Sequence, residues 1–107
     1  MLIGTLLMKH ASAYYSPTFG RGGLAAVFSC EVLLGTTFTL DIDIEHKNAE
    51  DTTFTLLGSF TQFAAAGVDI KNLTGIKEQV RFKYTVGGAT ASSFVYFNML
   101  SPAWRPY

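Results

Sequence analysis

The sequence predicts an all-β fold, an antiparallel β-sandwich or jelly-roll-like barrel of about six to eight strands. Residue types that favour strands are abundant, with nine Phe and five Tyr in 107 residues. Apolar and polar residues alternate with a period of two in several segments, and turn signals separate these segments about every ten residues. The length is typical of one domain, so we expect residues 1–107 to share one core.

The first half of the chain contains four expected strands. Residues 2–8 are almost entirely apolar, and in residues 24–34 every even position is apolar. Residues 36–46 alternate throughout, as in an antiparallel strand with one buried face. Residues 52–57 form a shorter strand after a polar connection over residues 46–51. These signals predict antiparallel pairing in the first half of the chain.

Two further strands are expected in the second half. Residues 79–86 alternate, with Val, Phe, Tyr and Val on one face. Residues 93–100 are apolar on both faces except for Asn98, which predicts a central strand or one covered by a neighbour.

Glycine and alanine mark the expected turns. Gly35 is expected in a tight reversal, and residues 86–90, which contain Gly87 and Gly88, are expected to form a hairpin turn between two strands. Residues 61–67 contain three consecutive alanines and could form one helical turn that ends at Gly67.

Two segments are expected to lie outside the sandwich core, as an extended N-proximal loop and a C-terminal arm. Residues 12–23 are rich in glycine, and residues 101–107 hold two prolines and the only Trp. Trp104 either folds back onto its own sandwich or docks on a neighbouring subunit, where Trp, Tyr and Arg are typical anchors. The candidate contact residues are Tyr14, Tyr15, Phe19, Trp104, Arg105 and Tyr107.

Composition argues against several classes of partner and location. Eight basic and eight acidic residues give no net charge, so neither nucleic acid nor an anionic membrane is an expected partner. No apolar stretch reaches the roughly 18 residues of a membrane span, and the apolar N-terminal run precedes Lys9, unlike a signal peptide. We therefore expect an unprocessed protein made in the cytoplasm. Because only 15% of the residues are charged, we expect a homo-oligomer or a partner surface.

No motif predicts an enzyme, a cofactor or a metal site. Asp41, Asp43 and Glu45 form an acidic row that could hold calcium or act as catalytic carboxylates. The simpler interpretation is a solvated strand face balanced by Arg81 and Lys83 on another strand.

The remaining candidate groups are weaker still. His46 has no second histidine at ligand spacing and is expected at the entry to a loop. Residues 20–23 are glycine-rich but precede a strand rather than a helix, which argues against a phosphate site. Cys30 is the only cysteine, so it cannot form an intrachain disulfide and is expected to be buried.

Two stretches of the sequence resemble a known class of viral protein. Residues 41–57 combine a strand ending in Glu-His, an acidic polar turn and a Thr-aromatic strand, and residues 80–88 contain a Val-Arg-aromatic strand and a Gly-Gly turn. This order, together with the ending over residues 102–107, resembles small β-sandwich virion proteins of tailed bacteriophages. The resemblance covers roughly residues 36–100 and the tail.

The resemblance implies a structural role in the virus particle. A capsid cement or decoration protein is the leading expectation, with the major capsid protein as partner, a homotrimer as the favoured assembly and the capsid surface as location. The alternatives are a phage tail or baseplate accessory, or a host-contact module that binds glycans through Tyr and Trp. A small hydrolase that uses the acidic row is a further alternative.

Overall fold

The computed structural model describes residues 2–9, 12–88 and 93–106, and this part of the chain is built from strands. The strands are β1 (Leu2–Lys9), β2 (Ser12–Tyr15), β3 (Phe19–Gly20), β4 (Ala25–Thr36), β5 (Phe38–Lys47), β6 (Thr55–Ser59), β7 (Gly67–Thr74), β8 (Gln79–Gly88), β9 (Phe94–Leu100) and β10 (Ala103–Arg105). They form two antiparallel sheets, so the all-β sandwich-like fold is confirmed.

The first sheet is organised around β4. Its Cys30–Thr36 half pairs with β9, which in turn pairs with β1, and its Ala25–Val27 start pairs with β10. On its other side β4 pairs with β7 from Ala25 to Val32. The expectation that residues 93–100 form a central strand is therefore confirmed for β9, which lies between β1 and β4.

The second sheet is organised around β5 and β8. These two strands pair over ten residues, from Phe38 opposite Gly88 to Lys47 opposite Gln79. The edges of this sheet are β6, which pairs with β5, and the two short strands β2 and β3, which both pair with β8. Burial alternates strictly along β5, as its sequence predicts.

The core lies between the inner faces of the two sheets. Phe28 and Phe97 from the first sheet and Phe82 from the second are among its largest fully buried side chains. The Phe28 and Phe82 rings meet edge to face at 6.1 Å between centroids, a favourable aromatic geometry. The sheets are therefore joined by contacts between aromatic side chains from both layers.

The two segments expected outside the core are parts of the sheets. Residues 12–23 contain β2 and β3, which extend the second sheet along β8, and residues 103–105 form β10 along β4. Their partners lie 59 or more residues away in the chain, and local sequence patterns do not show such distant pairing. These additions and β7 bring the strand count above the expected six to eight.

Three local predictions are wrong. Residues 61–67 form no helical turn; Phe63 instead makes an isolated β-bridge with Leu40. Gly87 and Gly88 end β8 and pair with β5, and since β8 and β9 belong to different sheets, they are not joined by a hairpin. Residues 89 and 90 of that expected turn lie outside the described residues.

The third wrong prediction concerns Gly35. The chain crosses from β4 to β5 at Thr37, which has a φ of 46°, whereas Gly35 still belongs to β4. A Cβ at Gly35 would collide with the Phe38 ring. Gly35 is therefore needed for the close approach of a buried ring rather than for a turn.

No helix in the described residues is long and apolar enough to cross a membrane.

Replacing Gly23 with alanine tests the docking of β10. The added Cβ would collide with the backbone carbonyl of Arg105, so Gly23→Ala should lower the free energy of unfolding by about 1–3 kcal/mol. Gly20→Ala is the matched control, because a Cβ there has no atom within 4 Å, and its stability should stay the same or rise by about 0.5 kcal/mol. Urea unfolding measures both, and an equal loss in the two variants would contradict the docking of β10.

Candidate functional site

Two of the six sequence-predicted contact residues meet at one end of the sandwich. The rings of Phe19 and Trp104 lie 6.4 Å apart, Phe19 is 5.5 Å from Phe82, and Trp104 is 6.2 Å from Phe28. Both side chains are partly buried against the core. Of the two alternatives, the structure has Trp104 folded back onto its own sandwich.

Glycines make this packing possible. A Cβ at Gly22 would approach the Trp104 indole to within 2.6 Å, and one at Gly23 would strike the backbone of Arg105. The indole and β10 can therefore lie directly against residues 22–23. Nearby, the Arg21 guanidinium donates to the carbonyl of Ile76 at 2.6 Å and fixes this loop to the residues that follow β7.

Beside the Phe19–Trp104 contact lies a cleft of about 300 Å³. It is mainly apolar, with three hydroxyl-bearing side chains and no titratable side chain among its lining residues: Ser16, Pro17, Thr18, Phe19, Phe82, Ser101, Pro102 and Trp104. Such a lining suits an uncharged group that presents an apolar surface. It provides no acid, base or nucleophile poised for chemistry.

The other predicted contact residues lie elsewhere. Arg105 is exposed and donates to the Asn72 side chain at 3.1 Å. Tyr14 and Tyr15 are more than half exposed, and as neighbours on a strand they point to opposite faces of the second sheet. Tyr107 lies outside the described residues. The described candidates therefore do not form one continuous surface.

Tyr15 belongs to a stacked group on the outer face of the second sheet. The Arg81 guanidinium lies between the rings of Tyr15 and Phe54, 4.0 Å from each centroid, and its Nε donates to Glu45 Oε1 at 2.8 Å. Contact of a guanidinium with ring faces is favourable. This stack fixes β2, β8 and the segment before β6 to one another.

The acidic row is satisfied by neighbouring side chains. Asp41 accepts from Gln62, Asp43 accepts from the Ser59 hydroxyl, and Glu45 pairs with Arg81. Asp43 also lies opposite Lys83 in the β5–β8 ladder. The ion pair of Glu45 with Arg81 agrees with the expected charge-balanced face, whereas the hydrogen-bond partners of Asp41 and Asp43 are uncharged. Among the described residues, no group of three or more His, Cys, Asp or Glu side chains is arranged to hold a metal ion.

Two isolated reactive side chains are buried. Desolvation, with a smaller contribution from the Asp69 and Glu31 carboxylates, raises the pKa of the Cys30 thiol to about 12, so the thiol stays protonated and unreactive. His46 is the next-to-last residue of β5, just before the connection to β6, and its Nδ1 accepts the backbone N–H of Lys77 at 3.2 Å. Burial, with a contribution from Lys77, lowers the pKa of His46.

The outer face of the first sheet carries an apolar patch that the sequence analysis missed. It consists of Leu33, Leu34, Val68 and Ile70, which are 37%, 53%, 61% and 57% exposed. Val68 and Ile70 lie opposite Glu31 and Ser29 of β4, on the face that points away from the core.

A β-bulge brings the two leucines onto this face. The β4–β9 register shifts between Val32 and Leu34, so Leu33 and Leu34 both point outward, whereas Val32 points inward. Period-two alternation would have placed one of the two leucines in the core. The only sequence signal of the bulge is the pair of adjacent leucines itself.

The chain matches no protein-family model, no curated protein and no solved structure.

Truncating Trp104 tests whether it belongs to its own sandwich. Because its ring contacts Phe19 and Phe28, Trp104→Ala should lower the free energy of unfolding by about 2–4 kcal/mol. Arg105→Ala, on the same strand but exposed, should change it by less than about 0.5 kcal/mol. Denaturant titration of both variants decides the question, since an arm made for a neighbouring subunit would leave both stabilities unchanged.

The buried His46 predicts a pH dependence of stability. Its pKa is about 6.5 in the unfolded chain and lower in the folded protein, so as the pH falls the unfolded chain takes up a proton first. The free energy of unfolding should therefore decrease below about pH 6.5. His46→Asn, which retains an acceptor for Lys77 but cannot titrate, should not show this decrease. Parallel urea titrations at several pH values measure it, and identical pH profiles would contradict the prediction.

Proposed function

We propose that the chain is a structural protein of a tailed-bacteriophage particle, a cement protein that binds the outer capsid surface. It has no catalytic role in this proposal. The major capsid protein is the partner, and the capsid surface is the location. The sequence resemblance over residues 36–100 supplies the class of particle, and the apolar patch is the observation that carries the binding role.

The two outer faces of the sandwich differ in a way that suits one-sided binding. On the second sheet, the charged side chains of β5 have partners on neighbouring segments. On the first sheet, four large aliphatic side chains are exposed on the paired strands β4 and β7. Exposed apolar clusters mark interaction sites in soluble proteins, because burial of their surface stabilises a complex.

A cement role needs contacts that are modest individually and repeated over the particle. A chain with no net charge can approach a protein shell without long-range repulsion. Each subunit that bridges two coat proteins gains from multivalent seating. Tyr14, Tyr15 and Arg105 are exposed and remain candidates for such contacts, whereas Phe19 and Trp104 are engaged with the core.

The second candidate is a tail or host-contact module that binds glycans. The observation that favours it is the uncharged cleft beside Phe19 and Trp104, which has hydroxyl-bearing side chains in its lining. An aromatic wall with a few polar groups suits a neutral sugar ring. The two candidates use different surfaces, so one set of variants separates them.

Patch variants test the cement role. Leu34→Ser combined with Val68→Ser should weaken binding to capsids that lack the protein by at least about tenfold, since two exposed apolar contacts are lost. Leu56→Ser is the matched control, because Leu56 is 62% exposed but belongs to the other sheet, and its binding should not change. Co-sedimentation with capsids measures all three proteins.

The other outcomes are equally informative. A wild-type chain that ignores capsids but binds glycans, with binding lost in Thr18→Ala, would replace the cement role with the second candidate. Capsid binding that is unchanged in the patch variant would assign the contact to another surface.

A further inference from the structure

Strand β7 is an edge of the first sheet. It pairs with β4 on one side, and no strand among the described residues pairs with its other side. The carbonyl of Leu24 accepts the backbone N–H of Ile76, so Leu24 directs its carbonyl to the β7 side. Because backbone groups alternate in direction along a strand, the even-numbered residues of β4 also direct their N–H and C=O groups toward β7. Their partners include Asp69 and Lys71, which leaves the N–H and C=O groups of Ile70 directed to the open edge.

This edge carries two opposite charges on one face. Asp69 and Lys71 are separated by one residue, and both side chains point to the inner side of the strand. Lys71 Nζ lies 3.8 Å from Asp69 Oδ2. Asp69 also accepts the N–H of Ile70 at 2.9 Å and that of Thr61 at 2.8 Å. Charged side chains on an edge strand normally prevent pairing with foreign strands.

The same charges are complementary to themselves. In an antiparallel pair of two β7 strands centred on Ile70, Asp69 of each copy lies opposite Lys71 of the other, and both pairs are attractive. Two lysines or two aspartates at these positions would repel a second copy. The order Asp-Ile-Lys therefore disfavours pairing with the edge strands of other proteins but is compatible with pairing to a second β7.

We propose that two copies of the chain pair through β7 in this register and form one continuous sheet. The Ile70 residues then exchange both of their backbone hydrogen bonds across a two-fold axis. The N–H of Ile70, which donates to the Asp69 carboxylate in the single chain, then donates to the backbone carbonyl of Ile70 in the second copy. The Asp69 carboxylate turns to Lys71 of the second copy. The Ile70 side chains become neighbours on the outer face, which joins the two apolar patches.

This inference goes beyond the proposed function and does not rest on it. Capsid binding needs the patch alone, whereas pairing needs the edge of β7. It also differs from the trimer expected from the sequence, so the mass of the assembly in solution separates the two. A dimer that ignores capsids, or a monomer that binds them, would overturn one proposal and leave the other.

A cysteine cross-link tests the register. Across a hydrogen-bonded antiparallel pair the Cα atoms lie about 5.5 Å apart, which is within disulfide range. Ile70→Cys should therefore give a disulfide-linked dimer under mild oxidation. Val68→Cys is the matched control, since Val68 is equally exposed on the same strand but its counterpart in the second copy would lie about 14 Å away. The native Cys30 is buried and does not compete.

Charge reversal tests the complementarity. Lys71→Asp and Asp69→Lys should each raise the dimer dissociation constant at least about tenfold, because both cross-strand pairs become repulsive. An equimolar mixture of the two variants should associate again as a heterodimer, since every pair is then attractive. Lys77→Asp, an equal charge change away from β7, should dimerise like the wild type. Sedimentation velocity over a concentration series measures all of these.

The inference would be overturned by a wild-type chain that is monomeric or trimeric over the whole series. Equal cross-linking of Ile70→Cys and Val68→Cys would also overturn it. If Asp69→Lys fails to fold through loss of the Thr61 contact, the cross-link pair and Lys71→Asp still decide the question.

Discussion

The edge-to-face contact between Phe28 and Phe82 is the interaction on which the rest of the molecule depends. Phe28 lies on β4 and Phe82 on β8, the two strands with the most partners in their sheets. Phe19 packs against one of these rings and Trp104 against the other, so β3 and β10 also depend on the contact. If either ring were lost, the two sheets and the two short strands would lose their common support.

The strands that could be predicted from the sequence are those whose apolar side chains point to the core. Strands β5 and β8 carry large apolar residues on the core side, and their alternation was sufficient to find them, whereas β9 was found because it is apolar on both faces. β7 has the inverse pattern, with Val68 and Ile70 outward and Asp69 and Lys71 inward, because it lies at an edge. Period-two reasoning assumes that the apolar side is the buried side, so it would have assigned Val68 and Ile70, rather than Asp69 and Lys71, to the buried face.

The candidate surfaces show the same division. The position of Arg81 and Lys83 on the strand beside the acidic row was predictable, because both strands alternate regularly and pair in register. The apolar patch was not, because it needs a bulge in β4 and an unanticipated neighbour in β7. The aromatic residues near the two ends drew attention as contact candidates, yet two of them are used to complete the core. Aromatic content alone does not separate a side chain that binds a partner from one that stabilises its own fold.

The position of β4 at the centre of the first sheet has a consequence for biosynthesis. Its partners β7, β9 and β10 all follow it in the chain, and the last two begin more than 60 residues later. A nascent chain therefore carries β4, with its buried Phe28 and Val32, through much of translation before β9 and β10 leave the ribosome. Folding dominated by such non-local pairing is slow, and β4 is prone to aggregation until its partner strands are available. The yield of folded protein should thus depend on chaperone capacity and synthesis rate more than on the stability of the finished sandwich.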